Sequence, residues 1–247
     1  MGLFRMKNTM PESLAWVLRI LLILSIPVAL SLTNVRLLMT PLFPEAIYNT
    51  PGFPADFYGF TKEDRLHWSK LSIQYIISDP AAGELADWKF PDGVTAPPES
   101  AIHYTSERGP EYFYNEREVS HMVDVRTVTS GALQVWVVAL VVALGSFAAL
   151  ALWGPAGALR GALLMGTGLT IILYLGLVAY IAINFDALFV QFHKIFFADG
   201  TWTFLWSDSL IRLFPIQFWV GAFSFVGVGG IVEAALIAAG AWWFASK

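Results

Sequence analysis

The run Asn115-Glu116-Arg117-Glu118-Val119-Ser120-His121-Met122-Val123-Asp124-Val125-Arg126 places an imidazole between two carboxylates. Glu118, His121 and Asp124 are spaced by three, so on a helix they line one side. Acidic residues at the start of the run and Arg126 near its end suit a helix dipole. A neighbouring carboxylate raises a histidine pKa and selects which ring nitrogen carries the proton. That is the equipment of a general acid or base. A second histidine lies in Gln191-Phe192-His193-Lys194, followed by Phe196, Phe197, Trp202, Trp206 and Asp208. His121 and His193 are the candidate catalytic pair. Glu118 or Asp124 would orient His121, which favours His121 as the base. Arg126, Lys194 and Trp202 are candidates for substrate contact.

Plainer readings stand beside each of these. His121 could form a structural ion pair with Glu118 or Asp124. His193, Arg126 and Lys194 could be ordinary residues of a membrane interface. His67 and His103 read as solvated loop residues. Glu118-x-x-His121 is half of a di-metal carboxylate motif, but Val190 stands three before His193 where a second Glu is needed. One zinc held by His121, His193 and a carboxylate is the metal-dependent alternative; the favoured reading has no metal and no cofactor. Ser120 and Ser130 lie close by, yet no Gly-x-Ser-x-Gly nucleophile elbow occurs. The chain has no cysteine, which removes disulfides, thiolate ligands and a cysteine acyl-enzyme.

The elements that must position these groups are membrane spans. The chain of 247 residues is 56% hydrophobic and 14% charged, whereas soluble domains run at about 25% charged. A bilayer core takes about 20 apolar residues as a helix. Four stretches qualify, at about 14–32, 133–153, 162–184 and 218–244. Arg19 snorkels from the first, and Glu233 sits inside the fourth, where an ionisable group is a functional candidate or is paired within the bundle. Gly227, Gly229, Gly230, Ala234 and Ala235 around it suit close helix packing. The first stretch has a second reading as a signal peptide, with Arg5 and Lys7 before it and Ala29-x-Ser31 as a weak cleavage pattern.

Arg5, Lys7, Arg19, Arg160 and Lys247 flank one side of the four spans, which puts both termini in the cytoplasm. The loops at about 33–132 and 185–217 then share the outer side, so His121 and His193 can meet there. The first loop is acidic, with 14 Asp/Glu against eight Lys/Arg from Thr33 to Ser130. Within it, Thr61-x-x-Asp64 starts a helix over about 62–78 that Asp79-Pro80 closes. That helix lies either on the membrane surface or against the loop. Ile102-His103-Tyr104 and Tyr112-Phe113-Tyr114 read as short strand-like pieces. The predicted fold is all-α: one integral membrane domain over 1–247, with a large outer loop domain after the first span and a short amphipathic outer loop after the third. A net charge of −4 offers no basic surface for nucleic acid.

Asn-Glu-Arg-Glu-Val-Ser-His-Met-x-Asp-Val-Arg at 115–126 resembles the signature of a bacterial four-helix membrane family that includes the lipoprotein intramolecular transacylases. A second block is similar too: Phe192-His193-x-x-Phe196-Phe197, Gly200-x-Trp202, and Leu210-Ile211-x-Leu213-Phe214-Pro215-x-x-Phe218-Trp219. The long first loop, with Tyr48-Asn49 and Asp56-Phe57-Tyr58-Gly59-Phe60, marks a distinct branch. The resemblance implies a bacterial cytoplasmic-membrane enzyme with an extracytoplasmic active site. It implies as partners a diacylglyceryl-modified lipoprotein and membrane lipids. The reaction would move the sn-2 acyl chain to the cysteine α-amino group and leave a lyso-form lipoprotein. It implies further that His121 and His193 are the essential pair. The rival functions are lipid or partner binding without catalysis and metal-dependent hydrolysis.

Overall fold

The structure is a computed structural model that describes residues 10–79 and 83–243. Arg5, Lys7 and Lys247, which carry much of the orientation argument, lie outside the described residues. So do Pro80, the expected helix stop, and Phe244, the end of the fourth expected span.

Four long helices carry the apolar stretches: α1 (Glu12–Leu38), α4 (Glu116–Trp153), α5 (Ala158–Phe196) and α7 (Ile216–Trp243). Each is long and apolar enough to cross a membrane. Three shorter helices, α2 (Leu42–Tyr48), α3 (Lys62–Ile76) and α6 (Ser209–Leu213), lie between them in sequence. Among the described residues the one β-type pairing is an isolated bridge between Lys89 and Tyr112. The strand-like piece expected at 102–104 is not one, since Pro98–His103 forms a 3-10 turn. Two prolines at 97 and 98 open that turn and fix its first φ angles.

The chain divides into two compact units. The first is Met1–Val35, Ala132–Ala182 and Ser224–Lys247. It is a helix bundle tied by polar contacts between apolar segments. Asn34 Nδ2 donates to Glu233 Oε2 at 2.8 Å, Tyr174 Oη donates to Ser31 Oγ at 2.8 Å, and Trp136 Nε1 donates to Thr33 Oγ1 at 2.9 Å. Glu233 is thus paired inside the bundle. A Cβ on Gly229 would come within 2.5 Å of Asn34 Oδ1, so glycine there is what lets the two helices close on that pair. α1 continues through Pro27 and beyond Ala29-x-Ser31, and its later turns supply Ser31, Thr33 and Asn34 to these contacts.

The second unit is Arg36–Gly131 with Ile183–Phe223, which joins the two polar segments far apart in sequence. Its core is aromatic. Phe113 and Tyr114 are fully buried. Phe113 stacks on Trp68 at 3.9 Å between centroids and lies 5.0 Å from Phe90. Two tyrosine hydroxyls inside this core are paired: Tyr114 Oη with Ser72 Oγ at 2.8 Å, and Tyr48 Oη donates to the Leu213 carbonyl at 2.7 Å. α3 opens with the expected Thr61/Asp64 capping box, in which side chain and backbone bond reciprocally. Arg212 pairs with Asp56 at 2.9 Å, both side chains buried, and its guanidinium sits 3.4 Å from the Phe60 ring centroid.

Two boundaries differ from the sequence expectation: α1 runs on to Leu38, past the expected end at about 32, and the third span is not followed by loop at 185. Residues 185–196 are not loop; they continue α5 beyond a break at Asn184, whose φ/ψ of −160°/81° is non-helical. Asn184 Oδ1 accepts the Ala187 N–H at 3.0 Å and so caps a new helical stretch. The polar Asp186, Gln191 and Lys194 suggested loop. The spacing of Phe185, Phe189 and His193 at i, i+4, i+8 holds them to one helical face instead.

Candidate functional site

α4 begins with a second capping box. Asn115 Oδ1 accepts the Glu118 N–H at 3.1 Å, and Glu118 Oε2 accepts the Asn115 N–H at 2.9 Å. The other carboxylate oxygen, Oε1, accepts the Leu210 N–H at 2.7 Å. Glu118 therefore joins the start of α4 to α6 and is fully buried. It makes no hydrogen bond to His121, and Asp124 is exposed without one. The expected orienting contact on His121 is absent because the Glu118 oxygens are engaged by two backbone amides, while Asp124 faces outward. Burial, with Asp208 adding to it, raises the Glu118 carboxyl to about 8 despite the opposing pull of the two amides.

His121 and His193 do come together. Their ring centroids are 6.3 Å apart and their planes 23° from parallel. Both residues are 6% exposed, and both lie outside the apolar stretches at 133–153 and 162–184. Aromatic rings enclose them. Phe197 and Phe204 lie 4.8 and 5.3 Å from His121, and Phe189 and Trp202 lie 4.1 and 4.8 Å from His193. His193 Nδ1 lies 2.8 Å from the Phe189 carbonyl. A carbonyl only accepts, so Nδ1 carries the hydrogen and the Nε2 lone pair is left for chemistry. His121 Nδ1 is buried with no partner. Burial lowers the His121 pKa to about 4, with His193 contributing, and burial also lowers that of His193, partly offset by the Phe189 bond. Both rings are therefore held uncharged near neutral pH.

The segment 198–208 supplies one wall of this enclosure, and a chain of polar contacts holds it. Arg117 Nη2 donates to the Gly200 and Thr203 carbonyls at 3.2 and 2.8 Å. Its Nη1 donates to His103 Nε2 at 3.0 Å, and His103 Nδ1 lies 3.0 Å from Asp208 Oδ2. Asp208 also accepts from the Leu205 N–H at 2.8 Å and from Asn115 Nδ2 at 3.3 Å. His103 is thus not a solvated loop residue. His67 is exposed, on α3 and not in a loop, with its ring edge-on to Trp68.

The remaining candidates are dispersed. Arg126 Nε donates to Ser78 Oγ at 3.0 Å and its guanidinium lies over Tyr75, so it straps α4 to the end of α3. Lys194, Ser120 and Ser130 are exposed. The Trp202 indole Nε1 is buried without a partner. Among the described residues no three His, Asp or Glu side chains converge as metal ligands, so the zinc reading finds no third donor beside the histidines. Sequence reasoning missed Arg117, His103 and Asp208. The cue for Arg117 was present, since it stands four residues before His121, one helical turn away.

These features define a multi-pass, all-helical membrane protein whose polar unit encloses two near-parallel imidazoles in aromatic rings. The sequence matches the family described as lipoprotein intramolecular transacylase Lit over residues 14–219, and the chain belongs to that family of transacylases. A protein of Aquifex aeolicus (strain VF5), described as uncharacterized, is 29% identical over 201 residues, 79% of either chain. The fold is similar to that of the membrane integral lipoprotein intramolecular transacylase Lit of Bacillus cereus, with a TM-score of 0.71 at 19% identity, covering 96% of this chain and 98% of that one. A form of that protein with a histidine replaced by alanine gives 0.65 at 18% identity, covering 96% of each chain.

Proposed function

We propose that this chain moves the sn-2 acyl group of a diacylglyceryl-cysteine lipoprotein onto the cysteine α-amino group, at the outer face of a bacterial cytoplasmic membrane, with both termini inside. The observation that carries this reading is the imidazole pair in a chain of this family, one ring with its tautomer set by a backbone carbonyl. Amine and ester belong to one substrate, so alignment does much of the work; oriented intramolecular reactions reach effective molarities of about 10⁵–10⁸ M. Ester-to-amide exchange is downhill and needs no nucleotide.

The amine nitrogen attacks the ester carbonyl, forming the N–C bond, and its proton passes to His193 Nε2. Collapse of the tetrahedral intermediate breaks the bond to the sn-2 oxygen, which takes that proton back from His193. One hydrogen moves from nitrogen to oxygen and one acyl group from oxygen to nitrogen. The Phe189 bond supports His193 as the base, in place of His121 as the sequence suggested, because it leaves Nε2 as the acceptor. His121, held neutral by burial, acts as a hydrogen-bond donor to the oxyanion, a role suited to an uncharged imidazole.

The test is mass spectrometry of the N-terminal peptide of a reporter lipoprotein, in bacteria that leave its α-amine free. An N-acylated, monoacylglyceryl peptide of unchanged total mass, absent with His121→Ala and with His193→Ala, is the expected result. An unchanged diacylglyceryl peptide, with the protein verified in the membrane, refutes the reading.

A further inference from the structure

One imidazole donor leaves a tetrahedral oxyanion half served, because such sites aim two or more donors at the developing charge. Among the described residues, the buried side-chain nitrogen and oxygen atoms without a hydrogen-bond partner belong to Arg19, Arg65, His121, Trp202 and Ser209. His121 and Trp202 are the two of these whose rings lie beside His193. An indole nitrogen is a donor only, and a buried donor without an acceptor is costly to maintain. It is the kind of exception that marks a place for a ligand atom.

The backbone around this indole is fixed. Arg117 holds the carbonyls of Gly200 and Thr203, the residues immediately before and after Thr201-Trp202, and the Thr201 N–H donates to the Ala198 carbonyl at 3.2 Å. The Trp202 ring meets the His193 ring at 4.8 Å and 32°. A donor on a pinned loop, beside the base, is preorganised in the way that transition-state stabilisation requires.

We propose that the Trp202 indole N–H is a catalytic hydrogen-bond donor to the oxyanion of the tetrahedral intermediate, the partner of His121 in that role. This rests on the transacylase reading above. The competing role for Trp202 is packing against His193, which needs the ring but not its N–H.

The experiment uses the full chain in proteoliposomes with a synthetic diacylglyceryl-cysteine peptide, and measures kcat, KM and thermal unfolding. The variants are Trp202→Phe, replacement of Trp202 by 3-benzothienyl-alanine (the same shape without the N–H), and His193→Ala. Loss of the N–H is expected to lower kcat about 10²–10³-fold, the effect of removing one oxyanion donor. KM should be unchanged, and the benzothienyl protein should unfold no earlier than wild type, having lost an unpartnered buried donor. Wild-type kcat in the benzothienyl protein overturns the proposal, even if Trp202→Phe is inactive through misfolding. An effect confined to KM overturns it as well. Active wild type, inactive His193→Ala and a fully active isostere refute the donor role alone, whereas inactive wild type refutes the transacylase reading itself.

Discussion

Replacing Glu118 with alanine separates a scaffolding carboxylate from one that tunes a histidine. The substitution frees the amides of Asn115 and Leu210, which Glu118 holds at 2.9 and 2.7 Å in a fully buried setting. Each buried amide left without an acceptor costs about 1–3 kcal/mol, so the pair costs about 4 kcal/mol. In a chain of this size that lowers the melting temperature by roughly 8–16 °C. The imidazoles themselves lose no hydrogen bond, because Glu118 makes none to His121. Glu118→Ala in detergent should therefore melt early yet retain acyl transfer when assayed well below its transition. The assay pairs thermal unfolding with mass spectrometry of the reporter peptide over a temperature series. A variant that melts like wild type but transfers nothing at any temperature would refute the scaffolding argument and restore a direct role in catalysis.

Burial raises the Glu118 carboxyl to about 8, so the folded chain holds a proton there that the unfolded chain has released above about pH 4.5. The stability this confers is full below pH 4.5 and is lost as pH rises through 8; Glu118→Gln should flatten that part of a plot of melting temperature against pH. Asp124→Ala, exposed and without a hydrogen bond, should shift stability by no more than about 0.5 kcal/mol and leave acyl transfer unchanged, as unfolding and the peptide assay will show. Glu233→Leu removes the partner of Asn34, and such intramembrane pairs are worth about 0.6 kcal/mol on average. A slight fall in melting temperature with unchanged kcat is the expected outcome.

The four spans were legible because their signal is length and apolarity, which no tertiary contact alters. The meeting of His121 and His193 was legible too, but only through topology. An even number of helices between two polar segments puts both on one side, and nothing local in either segment says so. The partner of His121 was misread for a physical reason. Spacing by three locates Glu118 and Asp124 on the side of α4 that carries His121, but the side chain of Glu118 turns to the free amides at its own helix start and at Leu210. Helix starts leave unpaired N–H groups that compete for nearby carboxylates, and here they win. The end of α5 was misplaced because polarity at 186, 191 and 194 outweighed the aromatic face at 185, 189 and 193 in reading that stretch.

His103 illustrates what sequence spacing cannot convey and what donor logic can. Arginine has no acceptor, so the 3.0 Å contact between Arg117 Nη1 and His103 Nε2 requires the imidazole lone pair at Nε2. The ring hydrogen then sits on Nδ1 and points at Asp208, 3.0 Å away. The direction of every bond along Asp208, His103 and Arg117 follows, ending with the guanidinium donating to the Gly200 and Thr203 carbonyls. Asp208 meanwhile holds the Leu205 amide and the Asn115 side chain, and Asn115 caps the helix that carries His121. One connected set of bonds thus fixes both the helix that presents His121 and the loop that lays Trp202 on His193 and Phe204 on His121. His193 is held by its own bond to the Phe189 carbonyl, whereas His121 Nδ1 has no partner, so the position of His121 is imposed from outside, by this network at the start of its helix and by the loop that lays Phe204 on it.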